Sequence, residues 1–194
     1  MASYHHGNLR DAILVAAASV IARDGVGALS LRAMATNLGV SHTAFRRHFG
    51  DRTGVLNALA VQGHRWLAEE LRAAQDGEFL DVGVAYVRFA LTHPGHFTVM
   101  FRPDLLDNDD AELTAARTEA FAPLSAGVKA MDPPDPAAAR VAGWGLAHGI
   151  ATLALAGNLA GALGASESEA GPGAEALARR ALALLYPLDE NPHP

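Results

Sequence analysis

Apolar positions in the first half of the chain recur at the spacing of one helix face and are interrupted at short intervals by residues that start or stop helices. Ile13, Ala17, Val20 and Ile21 make one such stripe, with Asn8 ahead of it as a cap and Gly25 behind it as a stop. Ser30 then caps a short segment that turns Leu31, Met34 and Leu38 inward, and Gly39 follows where a left-handed residue would close it. After Val40, Ser41 caps a second short helix, His42 to Phe49. A longer helix followed by two brief ones across Gly39-Val40-Ser41 predicts a helix-turn-helix. Asp51 caps the next helix, which carries Val55, Leu56, Leu59 and Trp66 to about Ala74.

The rest of the chain also reads as helix, with no convincing alternation of strand type. Phe79 to Thr92 is one amphipathic helix, stopped by His93-Pro94; Pro94 then opens a short helix ending near Phe101, where its missing donor costs nothing. A helix from Asp109 to Met131 is expected to break at Pro123, and Asp109 and Asp110 supply its cap. Asp132-Pro133-Pro134-Asp135-Pro136 separates it from helices expected over Ala137 to Leu163 and Gly173 to Tyr186. The predicted fold class is all-α: a three-helix head over residues 1–53 and a helical bundle over residues 54–194.

Charge changes this picture in one respect. The 194-residue chain has a net charge of −6, unfavourable for binding phosphates, yet residues 1–53 hold six arginines against three acids, a local +3 that leaves −9 for the remainder. The basic end is therefore the candidate nucleic-acid end. Val141 to Gly164 lacks Asp, Glu, Lys and Arg and is long enough to span a bilayer, but it is mostly Ala and Gly, with His148 and Asn158 inside and no basic flanks. Close packing between helices, through Gly143, Gly149, Gly157 and Gly161, is the preferred reading, and no membrane partner is expected. The chain has no cysteine, and its start lacks a basic, apolar leader, so a cytoplasmic location is expected.

Within the second short helix the polar residues Ser41, His42, Thr43, Arg46, Arg47 and His48 fall outward, while Ala44, Phe45 and Phe49 fall inward. A helix lying in the major groove needs such donors, and an arginine can pair bidentately with guanine. Spacing alone equally fits an ordinary solvated face. The run Leu29-Ser30-Leu31-Arg32-Ala33-Met34-Ala35, then Leu38-Gly39-Val40-Ser41, His48-Phe49-Gly50-Asp51-Arg52 and Val55-Leu56, resembles the DNA-binding region of the tetracycline-repressor (TetR) family. That resemblance implies DNA contacts from Ser30, Arg32, Ser41, His42, Thr43, Arg46, Arg47, His48 and Arg52. Arg46 stands where the family often has tyrosine, and Arg52 where it usually has lysine. Tyr4, His5 and His6 precede helix 1 and would form an arm beside the duplex, although paired histidines also suit a plain polar terminus.

His93-Pro94-Gly95-His96-Phe97 and Trp144-Gly145-Leu146-Ala147-His148-Gly149 resemble the regulatory domain of a TetR subgroup named for Trp, His and Gly. Trp144 and His148, four residues apart, share a helix face. With Phe89, Phe97, Met100, Phe101 and Phe121 they are candidates to line an apolar pocket with one polar group, the usual build of a small-molecule site. Aromatic residues at helical spacing also suit plain core. No nucleophile elbow, phosphate loop or zinc-helix pair occurs, so neither an enzyme nor a bound cofactor or metal is expected. The expected partners are an operator in double-stranded DNA, a largely apolar small-molecule effector and a second copy of the chain. The resemblance implies that the last two helices pair with their copies. The rival reading is an all-α small-molecule-binding protein or enzyme without specific DNA binding.

Overall fold

A computed structural model describes residues 6–159 and 167–186, and all regular structure among them is helical. The helices are α1 (His6–Asp24), α2 (Leu31–Asn37), α3 (His42–Phe49), α4 (Arg52–Ala74), α5 (Phe79–Thr92), α6 (Pro94–Met100), α7 (Ala111–Met131), α8 (Pro136–Leu155) and α9 (Glu167–Leu185). Short 3-10 turns occupy Val26–Ala28 and Pro103–Leu105. No helix among the described residues is long and apolar enough to cross a membrane.

Most of the local signals act as their chemistry requires. The Ser30 hydroxyl accepts from Ala33 N at 3.3 Å, the Ser41 hydroxyl from Ala44 N at 3.1 Å, and the Asp51 carboxylate from Gly54 N at 3.0 Å, each satisfying a donor left bare at a helix start. Gly39, at φ +66°, closes α2 with paired bonds from Gly39 N to Thr36 O and from Val40 N to Ala35 O. A side chain there would be strained, so the turn between α2 and α3 depends on glycine.

Four expectations need correction. Helix α1 already begins at His6, so Asn8 lies inside it, and of the expected arm Tyr4 and His5 fall outside the described residues. Helix α7 runs unbroken through Pro123. The proline frees only the carbonyl of Glu119, which belongs to an exposed residue that water can reach, while Pro123 O accepts from Gln75 Nε2 at 3.2 Å. Helix α8 stops at Leu155 instead of near Leu163 because Gly157, at φ +71°, closes it: Asn158 N bonds Leu153 O and Gly157 N bonds Ala154 O. Residues 160–163, expected in that helix, lie outside the described ones. Helix α9 begins at Glu167, six residues before the expected start.

The chain forms two compact units, Met1–Arg65 with His93–Thr118, and Trp66–Thr92 with Glu119–Pro194. The first is cored by Ile13, Leu14, Phe45, Val55, Leu56 and Leu59, all at most 1% exposed, joined by Val99 and Leu113. Here α6 packs on α1 so closely that a Cβ at Gly95 would collide with the Ala18 carbonyl. In the second unit α5, α8 and α9 pack on one another through Leu80, Ala85, Phe89, Ala147, Ile150, Ala151, Ala174, Ala178 and Leu182. The Phe79 ring meets Tyr186 edge-on at 5.2 Å, and the Tyr186 hydroxyl donates to Ala139 O.

Candidate nucleic-acid interface and effector site

Two aromatic rings seat α3. Phe45 is fully buried and Phe49 is 9% exposed, with ring centroids 5.9 Å apart, and together they anchor one side of the eight-residue helix in the first unit. The opposite side is left to Thr43, Arg46 and Arg47, all exposed, and α2 adds the exposed Arg32. No acidic residue occurs between Leu31 and Gly50, so this surface carries its cations without carboxylates of its own. Such a row can donate to phosphates and to base edges.

The remaining expected contacts have local duties as well. Ser30 and Ser41 cap helices, and each hydroxyl keeps its own proton to donate. Arg46 Nε lies 3.3 Å from Gly50 O. Arg52 Nη2 donates to Val26 O at 2.7 Å, tying the start of α4 to the 3-10 turn after α1 and leaving the rest of its guanidinium fork for other acceptors. His48 is half-buried beside Phe49, with centroids 6.3 Å apart. The described residues include the backbone of His42 but not its side chain. Sequence reasoning passed over Arg10, whose guanidinium sits 5.5 Å from the Phe49 ring centroid and adds a cation at the C-terminal end of α3. It also passed over Asn57, 6% exposed, which receives Asp107 N at 3.0 Å and donates to Asp107 O at 3.1 Å and to Asp110 at 3.3 Å. Asp110 in turn caps α7 through Leu113 N at 2.9 Å. An asparagine inside an apolar helix stripe was the available signal.

The expected effector residues fall in both compact units. Phe97, Met100 and Phe101 belong to the first, where the rings of Phe97 and Phe101 meet at 5.2 Å. Two histidines lie beside them, His64, which the sequence did not single out, and His96 of the His93-Pro94-Gly95-His96-Phe97 run. His64 is 1% exposed, packs edge-on to Phe101 at 5.7 Å, and makes no hydrogen bond of proper geometry at either ring nitrogen. Burial pushes its pKa down to about 4, an effect that the nearby Met100 main chain only partly opposes. His96 pairs with Gln62 Oε1 at 3.0 Å and is likewise lowered to about 4, by burial first and then by the charge of His93.

Phe89, Phe121, Trp144 and His148 belong to the second unit. Trp144 and His148 meet there at Tyr86, a residue that helical spacing did not single out. Trp144 Nε1 donates to the Tyr86 hydroxyl at 3.2 Å, and that hydroxyl lies 2.8 Å from His148 Nδ1. Indole nitrogen only donates, so the tyrosine accepts from it and keeps its own proton for the histidine. Burial raises the Tyr86 pKa well above its ordinary value and lowers that of His148. Phe121 packs edge-on to Trp144 at 5.2 Å, whereas Phe89 is wholly buried in the helix core. Among the described residues no group of three or more His, Asp or Glu side chains is placed to hold a metal ion.

Comparison with known proteins finds matches to both halves of the chain and leaves the subgroup named for Trp, His and Gly unconfirmed. Residues 13–59 match the family described as bacterial regulatory proteins, tetR family, and residues 79–185 match the tetracyclin repressor-like C-terminal domain. The chain is 27% identical over 155 residues to an uncharacterized HTH-type transcriptional regulator of Mycobacterium tuberculosis, covering 76% of this chain and 71% of the relative. Among solved structures it is similar to a protein of unknown function from Rhodococcus sp. RHA1, at 32% identity and a TM-score of 0.72, with 93% of this chain and 98% of that one aligned. The TetR family transcriptional regulator PfmR of Thermus thermophilus shares the fold, with a TM-score of 0.69 at 20% identity over 92% of this chain and 99% of that one.

Proposed function

Because the chain belongs to the TetR family of DNA-binding transcriptional regulators, we propose that it is a repressor that holds a near-palindromic operator as a homodimer and leaves it when a small molecule binds. Residues 1–53 read the duplex, and residues 54–194 serve effector binding and self-association. The observation that carries this reading is the cationic face of α3, set on two buried phenylalanines and capped by Ser41. Arg47, Arg46 and Arg32 are assigned to base edges or phosphates, Thr43 and His42 to the groove floor, and His48, Arg52, Ser30 and Ser41 to the flanking backbone. A protein of this kind works where the chromosome is, in the cytoplasm.

One eight-residue helix touches too few bases to select a site in a genome, whereas two related by a twofold axis read half-sites about 34 Å apart. Support for self-association comes from α8 and α9. On α8 the exposed Ala138, Ala142, Gly145, Thr152 and Leu153 lie along one stripe, and a Cβ at Gly145 or Gly149 would meet open space. On α9, Leu184 is 85% and Leu185 46% exposed. An apolar face of small side chains suits close approach by the same helices of a second copy. Helix α4 contributes residues to both compact units, so an effector that prefers one setting of it changes operator affinity by the coupling factor with which DNA changes effector affinity.

The test is selection of bound sequences from a random duplex pool, followed by titration of the winner. A twofold-symmetric consensus is expected. Arg47→Ala should cost about 1–3 kcal/mol of operator binding and relax preference at one position of each half-site. An asymmetric consensus, or an Arg47→Ala chain that binds as the parent does, overturns the contact assignment.

A further inference from the structure

The second compact unit contains a groove of 250 Å³ lined by Phe121, Leu124 and Ser125 of α7 and by Arg140, Val141 and Trp144 of α8. We propose that this groove binds a small carboxylate with an aromatic or short aliphatic body, its acid group on Arg140 and its body over Trp144. The inference rests on reading this unit as the effector domain and supplies the class of effector.

The chemistry follows from how the lining is already committed. Trp144 spends its one polar atom inward, on the Tyr86 hydroxyl at 3.2 Å, so the groove meets indole carbon. Phe121 stands edge-on to that indole at 5.2 Å, and Leu124 and Val141 extend the apolar surface. A ligand gains here by burying carbon, and an aromatic ring can stack or pack edge-on. Arg140 is the one charged residue of the lining, and among the described residues it makes neither an ion pair nor a hydrogen bond. It shares a helix face with Trp144, one turn before it, so a guanidinium fork stands at one end of the apolar floor. A planar fork matches a carboxylate in two parallel hydrogen bonds. Residues 54–194 carry a net −9, so an arginine that makes no ion pair among the described residues contrasts with the charge of this region. Ser125 adds a hydroxyl across the groove.

Size narrows the class further. The groove suits a small acid such as benzoate or hexanoate. It is smaller than the pockets that enclose drug-sized ligands, roughly 300 Å³ and above.

The experiment uses the full chain and benzoate, phenylacetate and hexanoate, each against its primary amide. Thermal shift is read on the unsubstituted protein, and emission on a Trp66→Phe chain, in which Trp144 is the reporter. Saturable quenching by the acids is expected, with the amides about fivefold weaker, the span of a partly exposed charge pair. Arg140→Gln should bring acid and amide within about twofold of each other without moving the melting temperature of the ligand-free protein, and Arg140→Lys should keep part of the preference. Equal binding of acid and amide, no saturable response, or an Arg140→Gln chain that still prefers acids overturns the proposal. None of these readouts involves DNA. Acids that bind through Arg140 yet leave operator affinity unchanged therefore support this site while contradicting the ligand-released repressor.

Discussion

The two compact units solve burial differently. The first fills its interior with bulk: Phe45, Ile13, Leu14, Leu56 and Leu59 are at most 1% exposed, and His64, equally buried, packs against Phe101 with no hydrogen bond of proper geometry at its ring nitrogens. The second closes on alanines, Ala85, Ala90, Ala147, Ala151, Ala174 and Ala178, which draw helix backbones together, and its buried polar atoms meet in the group of Tyr86, Trp144 and His148. Bulky side chains give α3 a buried seat behind its exposed cations. Small side chains leave less apolar area per residue, so stability there leans on close approach and on hydrogen bonds between helices.

The largest expected effect is on the head. Phe45→Ala should lower unfolding free energy by about 3–5 kcal/mol in denaturant titration, because the ring is fully buried and seats α3. A loss below that of an exposed alanine substitution would mean that α3 does not depend on its aromatic seat.

The histidines sharpen the contrast through pH. His64 is neutral when folded because its pKa is lowered from 6.5 to about 4, while the unfolded chain takes up a proton near 6.5. Its contribution to stability is therefore complete above pH 6.5 and is lost as pH falls toward 4. Between pH 7 and pH 5 the loss should be about 2 kcal/mol from this residue. His64→Leu should remove that part of the pH dependence, measured as the difference in unfolding free energy between the two pH values. An unchanged slope would show that His64 finds a partner or titrates normally.

A smaller effect is expected in the second unit. Tyr86→Phe removes the hydroxyl that joins Trp144 to His148 and should cost about 1–2 kcal/mol. In a Trp66→Phe background the Trp144 emission should shift as its hydrogen bond is lost. A stability equal to that of the parent would mean that the polar group is incidental to this unit.

Much of the head was legible residue by residue. Ser30, Gly39, Ser41 and Asp51 act on backbone atoms within five residues of themselves, and Phe45 and Phe49 declare their buried face by spacing alone. The candidate pocket was legible only in part. Trp144 and His148 share a face because they are four apart, but their common partner Tyr86 lies 58 and 62 residues away. The departures from expectation have local causes: Gly157 stops α8, and Pro123 is tolerated inside α7 because Glu119 is exposed.

Caps, turns and the period of apolar positions were settled by the order of residues, since each is decided between neighbours along the chain and does not wait on the rest of the fold. Packing alone decided the inward hydrogen bond of Arg52 to Val26, the clasp of Asn57 on Asp107 and Asp110, and the groove between Phe121 and Trp144. Those pairings join residues far apart in the chain, and which of many chemically suitable partners meet is set by where the helices pack, a property that no stretch of sequence carries by itself.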